Sequence, residues 1–227
     1  WKVGDKIGIA LSGTVGILEL SGTYYAFIIG FNHNSGIEGS NSIHFQFGKS
    51  STGADIAFVD SRYGANGSSD RFYMRTTATN VGGWKSTYMY TTICPAFLAA
   101  MPTAWQNVIA ACTKYSDNTG GGSDTASYVT ATSEKIWLLA EFEVFGARTG
   151  ANSAEQNYQK QYTYYANGNS KIKYKHSDTS TAVAYYLRSS NTSYANKLIF
   201  RIVSTTGTSG STQSNYSQGF APGFKVA

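Results

Sequence analysis

The apolar residues of this chain occur in short runs, and the length of those runs limits its fold more than any other feature. The longest lie around Tyr24–Phe31, which is the length of a β-strand. No run reaches the roughly 18 apolar residues that a membrane-spanning helix needs, so we expect no membrane insertion. With 227 residues the chain can bury a stable hydrophobic core without help from disulfides or structural metal ions. We therefore expect a strand-rich single domain over residues 1–227.

Alternating and apolar patterns predict strands in the N-terminal part. Gly16–Leu20 and Thr23–Phe31 flank Ser21-Gly22, a connection typical of a hairpin. Ile43–Phe47 alternates apolar and polar residues, as a half-buried strand does. Asp55–Asp60 is predicted as a further short strand.

Two principal helices are predicted in the middle of the chain. The first begins at Ser86, a capping residue, and carries apolar side chains at helical spacing as far as Met101. Pro95 should kink or split it. The second runs from Asn152 to Asn167 with a stripe of tyrosines on one face.

Four later segments have the composition of strands. Lys135–Phe145 is apolar on nearly both sides, which indicates a buried strand. Ala182–Leu187, Lys197–Val203 and Phe220–Val226 are apolar-rich and bounded by turn residues. We expect these last three to belong to one sheet.

The composition favours an exposed protein. Charged residues make up 14% of the chain, against about a quarter in most domains, and Tyr, Gly, Ser, Thr and Asn take their place. Aromatic residues, at 15%, argue against disorder. The alternation of Lys171, Lys173 and Lys175 is typical of a strand with a solvated face, so no nucleic-acid partner is expected. The chain begins at Trp1 without an initiator methionine or a leader, as a mature form or a fragment would.

Few residues are placed for metal or thiol chemistry. Cys94 and Cys112 lie in apolar surroundings, which favours buried free thiols, with one disulfide as the alternative. None of the three histidines, His33, His44 and His176, stands at short ligand spacing to another histidine or to a cysteine, so no metal and no cofactor are expected.

The carboxylates offer one conceivable catalytic pair. Glu141 and Glu143 fall on the same face of the predicted strand, as the acids of a glycosidase site would. Their apolar neighbours Leu139 and Phe145 favour a structural role instead. Gly-x-Ser-x-Gly, His-Glu-x-x-His and Gly-x-x-x-x-Gly-Lys patterns are absent from the sequence. We therefore expect that the protein is not an enzyme.

The most distinctive segment lies near the C-terminal end. From Tyr185 to Gln218, 22 of 34 residues are Ser, Thr, Asn, Tyr or Gly. An apolar strand lies within it, so we expect an ordered scaffold holding two polar loops, Ser189–Asn196 and Ser204–Gln218. Binding loops of antibodies have this composition, because Tyr supplies contact area with few torsions to freeze and Ser, Asn and Gly supply adaptable hydrogen bonds. The alternative is an ordinary solvated loop region.

Several stretches resemble a widespread family of gut-bacterial and phage domains. That family ends in a Trp-Leu-Arg-Ser motif, an Asn-rich stretch and a Gly-Phe/Val-x-Pro close, and Ala184–Ser189 and Gly219–Phe224 are similar to the two motifs. Gly82–Ser86, Cys94-Pro95 and Glu141–Gly146 resemble its middle. The resemblance therefore covers most of the chain.

The C-terminal part is similar to the variable proteins of diversity-generating retroelements. This similarity implies an α+β, C-type lectin-like fold with a mixed, mostly antiparallel sheet, two main helices and long loops, related to that of the formylglycine-generating enzymes. It also implies that residues 185–218 are a variable ligand-binding segment, because template adenines are copied with errors there and Asn codons above all change. Three residues of this segment, Lys197, Gln213 and Gln218, lie outside the set reachable from Asn by changes at its two adenines.

The chain also departs from the patterns of this family and of its relatives. Tyr186 stands where the family motif has Trp, and Ser190 stands where it has Pro. The Glu-Pro-Asn and Trp-Asn-Asp motifs of calcium-dependent lectins do not occur. Formylglycine-type oxidases need a thiol pair in the C-terminal half, whereas Cys94 and Cys112 lie upstream of the segment. The resemblance therefore implies the fold with neither calcium nor catalysis.

These observations predict a non-enzymatic receptor-binding or adhesion protein, displayed on a phage tail (the virion) or at a bacterial cell surface. Its macromolecular ligand is expected to be a protein of the host surface. Two alternatives remain open: a formylglycine-oxidase-like or carbohydrate-active enzyme, and a purely structural virion or surface module. The predicted aromatic anchors are Tyr185, Tyr186, Tyr194, Phe200 and Tyr216. The predicted polar contacts are Asn191, Thr192, Ser193, Asn196, Ser204, Thr205, Ser209, Ser211, Ser214 and Asn215.

The exposure of the anchors is part of this prediction. The four tyrosines should keep much of their ring area accessible on one side of the molecule. For Phe200, strand alternation leaves open whether the ring points outward or inward.

Overall fold

The computed structural model describes residues 1–59, 71–192 and 198–227, which form short helices packed among mostly antiparallel strands. The strands are β1 (Lys6–Val15), β2 (Leu18–Phe31), β3 (Ile43–Lys49), β4 (Ile56–Ala57), β5 (Ile109–Ala110), β6 (Cys112–Asp117), β7 (Val129–Glu134), β8 (Ile136–Trp137), β9 (Lys173–Lys175), β10 (Ala182–Val183), β11 (Tyr185–Ser190), β12 (Ile199–Val203), β13 (Ser209–Gln213) and β14 (Gly223–Val226). The α-helices are α1 (Ser35–Glu38), α2 (Cys94–Ala99), α3 (Thr103–Val108), α4 (Glu141–Phe145) and α5 (Thr163–Ala166). The described ranges also contain three 3-10 turns (Trp84–Ser86, Ala126–Tyr128 and Ser153–Asn157) and one π-helical turn (Met89–Ile93). The α+β class is thereby confirmed.

The largest sheet has the strand order β1-β2-β3-β14-β5, and β8 joins it by pairing with β14. All of its pairs are antiparallel. Three smaller sheets have the orders β10-β9-β4, β11-β12-β13 and β6-β7, and only the β4–β9 pair among them is parallel within the described residues. The last strand of the chain is therefore central to the main sheet.

Phenylalanines from distant parts of the chain meet in the core. The ring of Phe97 lies 4.9 Å from that of Phe47, 5.3 Å from that of Phe58 and 5.3 Å from that of Phe220. Phe224 lies 5.5 Å from Phe47. All five side chains are fully buried. Because aromatic burial is a large favourable term, these contacts tie the C-terminal end to the N-terminal strands.

The first hairpin turns earlier than the sequence predicts. β1 and β2 pair continuously as far as Val15 opposite Leu18, so the turn lies at Gly16-Ile17. Gly16 has a φ of +68°, which glycine adopts without strain. Ser21-Gly22 lies inside β2 opposite the Leu11–Ser12 part of β1, because the ladder continues through these residues. The prediction of a turn there is wrong.

The prediction of one continuous strand over Lys135–Phe145 is also wrong. The strand ends at Trp137, and α4 begins at Glu141. The Glu143 carboxylate accepts a hydrogen bond from the Ala140 N–H (2.9 Å), which stabilises the start of the helix. A short buried helix and a buried strand share the same apolar composition, so periodicity could not separate them. Glu141 and Glu143 consequently do not share a strand face.

The two main helices predicted from the sequence are broken into shorter pieces. Residues 89–93 form a π-helical turn, and α2 follows with Pro95 in its first turn. Asn152 caps a helical turn as predicted, accepting from the Ala154 N–H at 3.1 Å. That turn ends at Asn157, and the Tyr162 N–H then donates to the Glu143 carbonyl before α5 begins. This tertiary hydrogen bond replaces the helical one that the pattern predicted.

The three C-terminal strand segments are present but do not share a sheet. β11 and β12 pair with each other, whereas β14 lies in the main sheet. The Phe224 ring stacks on Phe45 of β3 at 5.1 Å, and this core packing draws the last strand away. The one-sheet prediction is therefore wrong.

Three further predictions concern lysine, cysteine and membrane-spanning helices. Lys173 is buried, not solvated, and burial lowers its pKa to about 8. Cys94 and Cys112 are buried free thiols, as predicted. No helix in the described part of the chain has both the length and the apolarity that crossing a membrane requires.

Candidate functional site

The polar C-terminal segment forms the β11-β12-β13 sheet, with β13 at one edge. Val203 of β12 pairs with Ser209, and Ile199 pairs with Gln213. Every residue of β11 and β12 is buried, whereas every residue of β13 is half-buried. In this sheet, solvent and any binding partner can therefore reach the β12–β13 hairpin but not β11.

Three of the predicted aromatic anchors lie in the interior. Tyr185 and Tyr186 are each 1% exposed, and Phe200 is 0% exposed. The Tyr185 hydroxyl donates to the Lys171 carbonyl (3.1 Å), and the Tyr186 hydroxyl donates to the Gln213 carbonyl (2.6 Å). The prediction of exposed rings at Tyr185 and Tyr186 is wrong, because the main body of the chain covers β11 on both faces. These hydroxyls support backbone carbonyls in the interior.

Two predicted polar contacts are also buried. Asn191 is 1% exposed, and its amide donates to the Ser211 hydroxyl at 2.7 Å. Ser214 is 0% exposed, and its hydroxyl accepts from the Thr79 N–H at 2.8 Å. The prediction that they are exposed is wrong, because each side chain turns inward, Asn191 to Ser211 of β13 and Ser214 to the backbone of Thr79.

The other described positions remain accessible. Half-buried among the predicted contacts are Thr192, Ser204, Thr205, Ser209, Ser211, Asn215 and Tyr216. Ser193, Tyr194 and Asn196 lie outside the described residues. The prediction missed Thr206 and Thr208, which are exposed at the tip of the hairpin, although both belong to the polar loop that drew attention to this region.

We name six partly or fully exposed Ser and Thr residues of this hairpin the hydroxyl face. It consists of Ser204, Thr205, Thr206, Thr208, Ser209 and Ser211.

Hydrogen bonds hold the tip of the hydroxyl face in one conformation. The Ser204 hydroxyl lies 2.7 Å from that of Thr208 and 3.0 Å from that of Thr206. The Ser204 N–H donates to the Thr208 carbonyl at 2.8 Å. Gly207 has a φ of +79°, which the tight turn needs and other residues seldom adopt. The tip is thus ordered before any ligand arrives.

An ion pair fastens the hydroxyl face to α4. Arg201 Nε donates to Glu141 at 2.9 Å, and the Arg201 guanidinium also donates to the hydroxyls of Thr149, Ser209 and Ser211. Burial tends to raise the pKa of Glu141, yet the Ser209 hydrogen bond and the Arg201 charge lower it overall. Glu141 therefore stays ionised, and its bonds to Arg201 and Ser209 hold β12 and β13 against α4.

A second ion-pair network lies beneath β11. Arg188, from the Leu-Arg-Ser motif, donates to both oxygens of Glu143, at 2.5 and 2.8 Å. Lys114 donates to Glu143 at 3.1 Å and to Glu38 at 2.6 Å. Although burial opposes it, these cations hold the pKa of Glu143 well below its usual range. The two cations, Lys114 and Arg188, face the two carboxyl groups of Glu38 and Glu143. Such pairing of opposite charges is what a buried ionic network requires.

The sequence carried a signal for both networks that the prediction did not use. Glu143 stands between Phe142 and Val144, and Arg201 stands between Phe200 and Ile202. A charged residue inside an apolar run is rarely left unpaired in a folded core. Such residues therefore indicate partners elsewhere in the chain, although not which ones.

Ligand-type side chains surround Lys114. Among the residues that the structure describes, two groups have ligand atoms close enough to hold a metal ion: Glu38, His44 and Cys112, and His33, Glu38 and Glu143. The Lys114 ammonium binds the carboxylates of both groups. Burial, aided by the Lys114 charge, lowers the pKa of His33 to about 3 and that of His44 to about 2. Burial raises the pKa of Cys112 to about 12, so its thiol is a weak nucleophile near neutral pH.

Comparison with known proteins places the chain in a family. No curated protein and no solved structure matches it. A family model described as "Domain of unknown function (DUF6273)" matches residues 56–227. The match begins at β4 and includes the β11-β12-β13 sheet, the hydroxyl face and the Arg188–Glu143 pair. The chain belongs to this family of DUF6273 domains.

Proposed function

We propose that this protein is a non-enzymatic ligand-binding protein and that the hydroxyl face contacts its partner, a protein on the surface of a host cell. The observation that carries the proposal is the ordered, accessible array of hydroxyls at the tip of the β12–β13 hairpin, from Ser204, Thr205, Thr206 and Thr208. A hydroxyl can donate and accept, so such an array suits varied polar partners. Because the tip is already ordered, binding costs little further conformational entropy.

The proposal includes a C-type lectin-like fold and a diversified segment. The division between a buried β11 and an accessible hairpin supports it. A diversified protein needs positions that can change without unfolding the domain, and accessible turn positions usually change stability by no more than about 0.5 kcal/mol. Display on a phage tail or a bacterial cell surface would bring such a segment to its partner.

The states of the acids and thiols support a role without catalysis. Glu141 and Glu143 are committed to ion pairs with Arg201 and Arg188. Burial raises the pKa of the Cys94 thiol well above its usual value. These groups stabilise the fold in forms that are poor acids, bases and nucleophiles at neutral pH.

A binding experiment on whole cells tests the proposal. Fluorescently labelled protein is titrated onto a panel of gut-bacterial cells and followed by flow cytometry. We expect saturable binding that protease treatment of the cells removes, because the proposed partner is a protein. The double variant Thr206→Arg/Thr208→Arg should lose this binding, since two long charged side chains would cover the hydroxyl face.

The matched control is Ser21→Arg/Thr23→Arg, which adds the same two charges at exposed positions of β2. It should bind as the unmodified protein does. Equal binding by the control and by Thr206→Arg/Thr208→Arg would refute a role for the hydroxyl face. Absence of saturable binding across the panel would instead favour a structural module.

Sequencing the same locus from sibling isolates tests diversification. Variation should concentrate at accessible positions such as Thr192, Thr205 and Ser211, while buried Arg188 and Phe200 stay constant. Variation scattered over the whole chain would favour the purely structural module.

A further inference from the structure

Two buried side chains of opposite charge, Lys114 of β6 and Glu38 of α1, are in direct contact in the network beneath β11. The Lys114 ammonium nitrogen, Nζ, donates to Glu38 Oε2 at 2.6 Å, and the two side chains are 0% and 2% exposed. The two residues are 76 positions apart in the chain, so a covalent bond between them would close a long loop. Neither residue belongs to the hydroxyl face, so this contact goes beyond the proposed function.

The surroundings of this pair are aromatic and closed to solvent. Lys114 Nζ lies 4.6 Å from the centre of the Trp137 ring and donates to the Tyr162 hydroxyl at 2.9 Å. The Trp137 and Tyr162 side chains are both fully buried. An ion pair in such a place has lost the hydration of both of its charges. Transfer of one proton from Nζ to Oε2 removes both charges and leaves a neutral amine beside a neutral acid.

A small population of this neutral form is enough for a reaction within one chain. Although burial opposes it, the carboxylates of Glu143 and Glu38 hold the pKa of Lys114 well above its usual value, so the ion pair is the resting state. The two groups nevertheless stay in contact for as long as the protein is folded. Well-oriented groups within one molecule react as if their concentration were about 10⁵–10⁸ M. Neither group has to be reached from solvent, because both belong to the chain.

Arg188 determines which of the two carboxyl groups near Lys114 can react with an amine. Glu143 lies 3.1 Å from Lys114 Nζ and accepts two hydrogen bonds from Arg188. The two cations hold the pKa of Glu143 well below its usual range, and a carboxylate anion resists attack by an amine. Burial instead raises the pKa of Glu38. Glu38 is therefore the acid of the pair, and Glu143 is the base beside it.

We propose that Lys114 and Glu38 condense in the folded protein to an isopeptide bond, with Glu143 carrying a proton. Lys114 Nζ forms a bond to Glu38 Cδ, and the bond between Cδ and Oε2 breaks. Of the three ammonium protons, one passes directly to Oε2, one reaches Oε2 by way of Glu143, and one stays on the amide nitrogen. Oε2 leaves as water, nothing is oxidised or reduced, and no other reactant is needed. One carboxylate oxygen of Glu143 and one of Glu38 lie within 4.8 Å of each other, which keeps the proton path short.

A second lysine–acid pair provides an internal control. Lys49 Nζ donates to Asp55 at 3.0 Å, but these side chains are 13% and 16% exposed. Water at a partly exposed pair stabilises the ammonium and the carboxylate as ions. The Lys49–Asp55 pair should therefore remain an ordinary ion pair.

Intact-mass spectrometry of the folded, full chain tests the bond. The mass should be lower than the sequence mass by one water molecule, and a protease digest should contain a branched peptide that joins Lys114 to Glu38. Lys114→Arg keeps the cation but removes the amine, so this variant should have its full sequence mass. The matched variant Lys49→Arg should still lack one water. A full sequence mass for the unmodified protein, a water loss that survives Lys114→Arg, or a branch at other residues would overturn the proposal.

Amine labelling reaches a decision on the unmodified protein alone, whether or not Lys114→Arg folds. The protein is unfolded in urea and treated with acetic anhydride, and the labelled lysines are identified by mass spectrometry. Lys49 should be acetylated, whereas Lys114 should stay unlabelled because its nitrogen is already an amide. Acetylation of Lys114 to the same extent as Lys49 would show that the contact is only an ion pair. Neither measurement involves a binding partner, so failure here leaves the cell-binding result unaffected.

Discussion

Glu155 offers the sharpest test of the buried polar groups beneath the candidate site. Its carboxyl is 1% exposed and accepts from the Asp117 N–H at 2.9 Å and from the Ser189 hydroxyl of β11 at 2.6 Å. Burial raises its pKa from an ordinary 4.5 to about 7. The native state therefore holds this proton more tightly than the unfolded chain does. The resulting stabilisation is full below about pH 4.5 and is lost as the pH rises through about 7.

The magnitude follows from the two pKa values. Between about pH 5 and pH 8, ionisation of Glu155 should lower the free energy of unfolding by about 2–3 kcal/mol. Glu155→Gln places a neutral side chain of the same shape there, so its stability should lack this decline. The variant should therefore gain stability relative to the unmodified protein as the pH rises.

Urea denaturation across this pH range measures the difference. His33 and His44 also titrate with lowered pKa values, so they remove stability as the pH falls below their ordinary 6.5. Both histidines are present in both proteins, and their effect cancels in the difference. Glu19→Gln, at an exposed strand position, controls for the loss of a carboxylate. A stability difference that does not change with pH would refute the argument that burial controls the ionisation of Glu155.

The remaining predictions concern stability and are measured by urea denaturation at pH 7. Lys114→Met removes a buried cation from Glu143 and should destabilise the fold by about 3–5 kcal/mol, and a loss below about 1 kcal/mol would show that the network is not needed. Phe220→Ala leaves a cavity in the aromatic core and should cost about 3–5 kcal/mol, whereas Thr206→Ala at the hairpin tip should change stability by no more than about 0.5 kcal/mol. If those two effects are reversed, the division between core and accessible hairpin is incorrect. Ser214→Ala leaves the half-buried Thr79 N–H without its acceptor and should cost about 1 kcal/mol, and tolerance of this change would return Ser214 to the exposed contacts.

Local patterns in the sequence determined several features on their own. The apolar run within 197–203, which is bounded by turn residues, predicted a strand, because β-branched and aromatic residues favour extended backbone. Ile43–Phe47 was predicted from its alternation as a half-buried strand, and both strands are present. The polar residues His44 and Gln46 are buried as well, so the half-buried part of that prediction is wrong. The apolar surroundings of Cys94 and Cys112 correctly indicated buried thiols. The polar composition after Ser204 located the accessible hairpin.

Only the tertiary structure decided which side chains of these elements face solvent. A pattern of period two shows that a strand has two faces, but not that both will be covered. The body of the domain covers both faces of β11. Tyr185 and Tyr186 are therefore buried, although the composition of their segment suggested exposed aromatic anchors. Glu143 shows the same limit, because its run of apolar neighbours fits either a strand or α4, and its partner Arg188 lies far away in the chain. Long-range packing and ion pairing settle such alternatives, and no local pattern contains them.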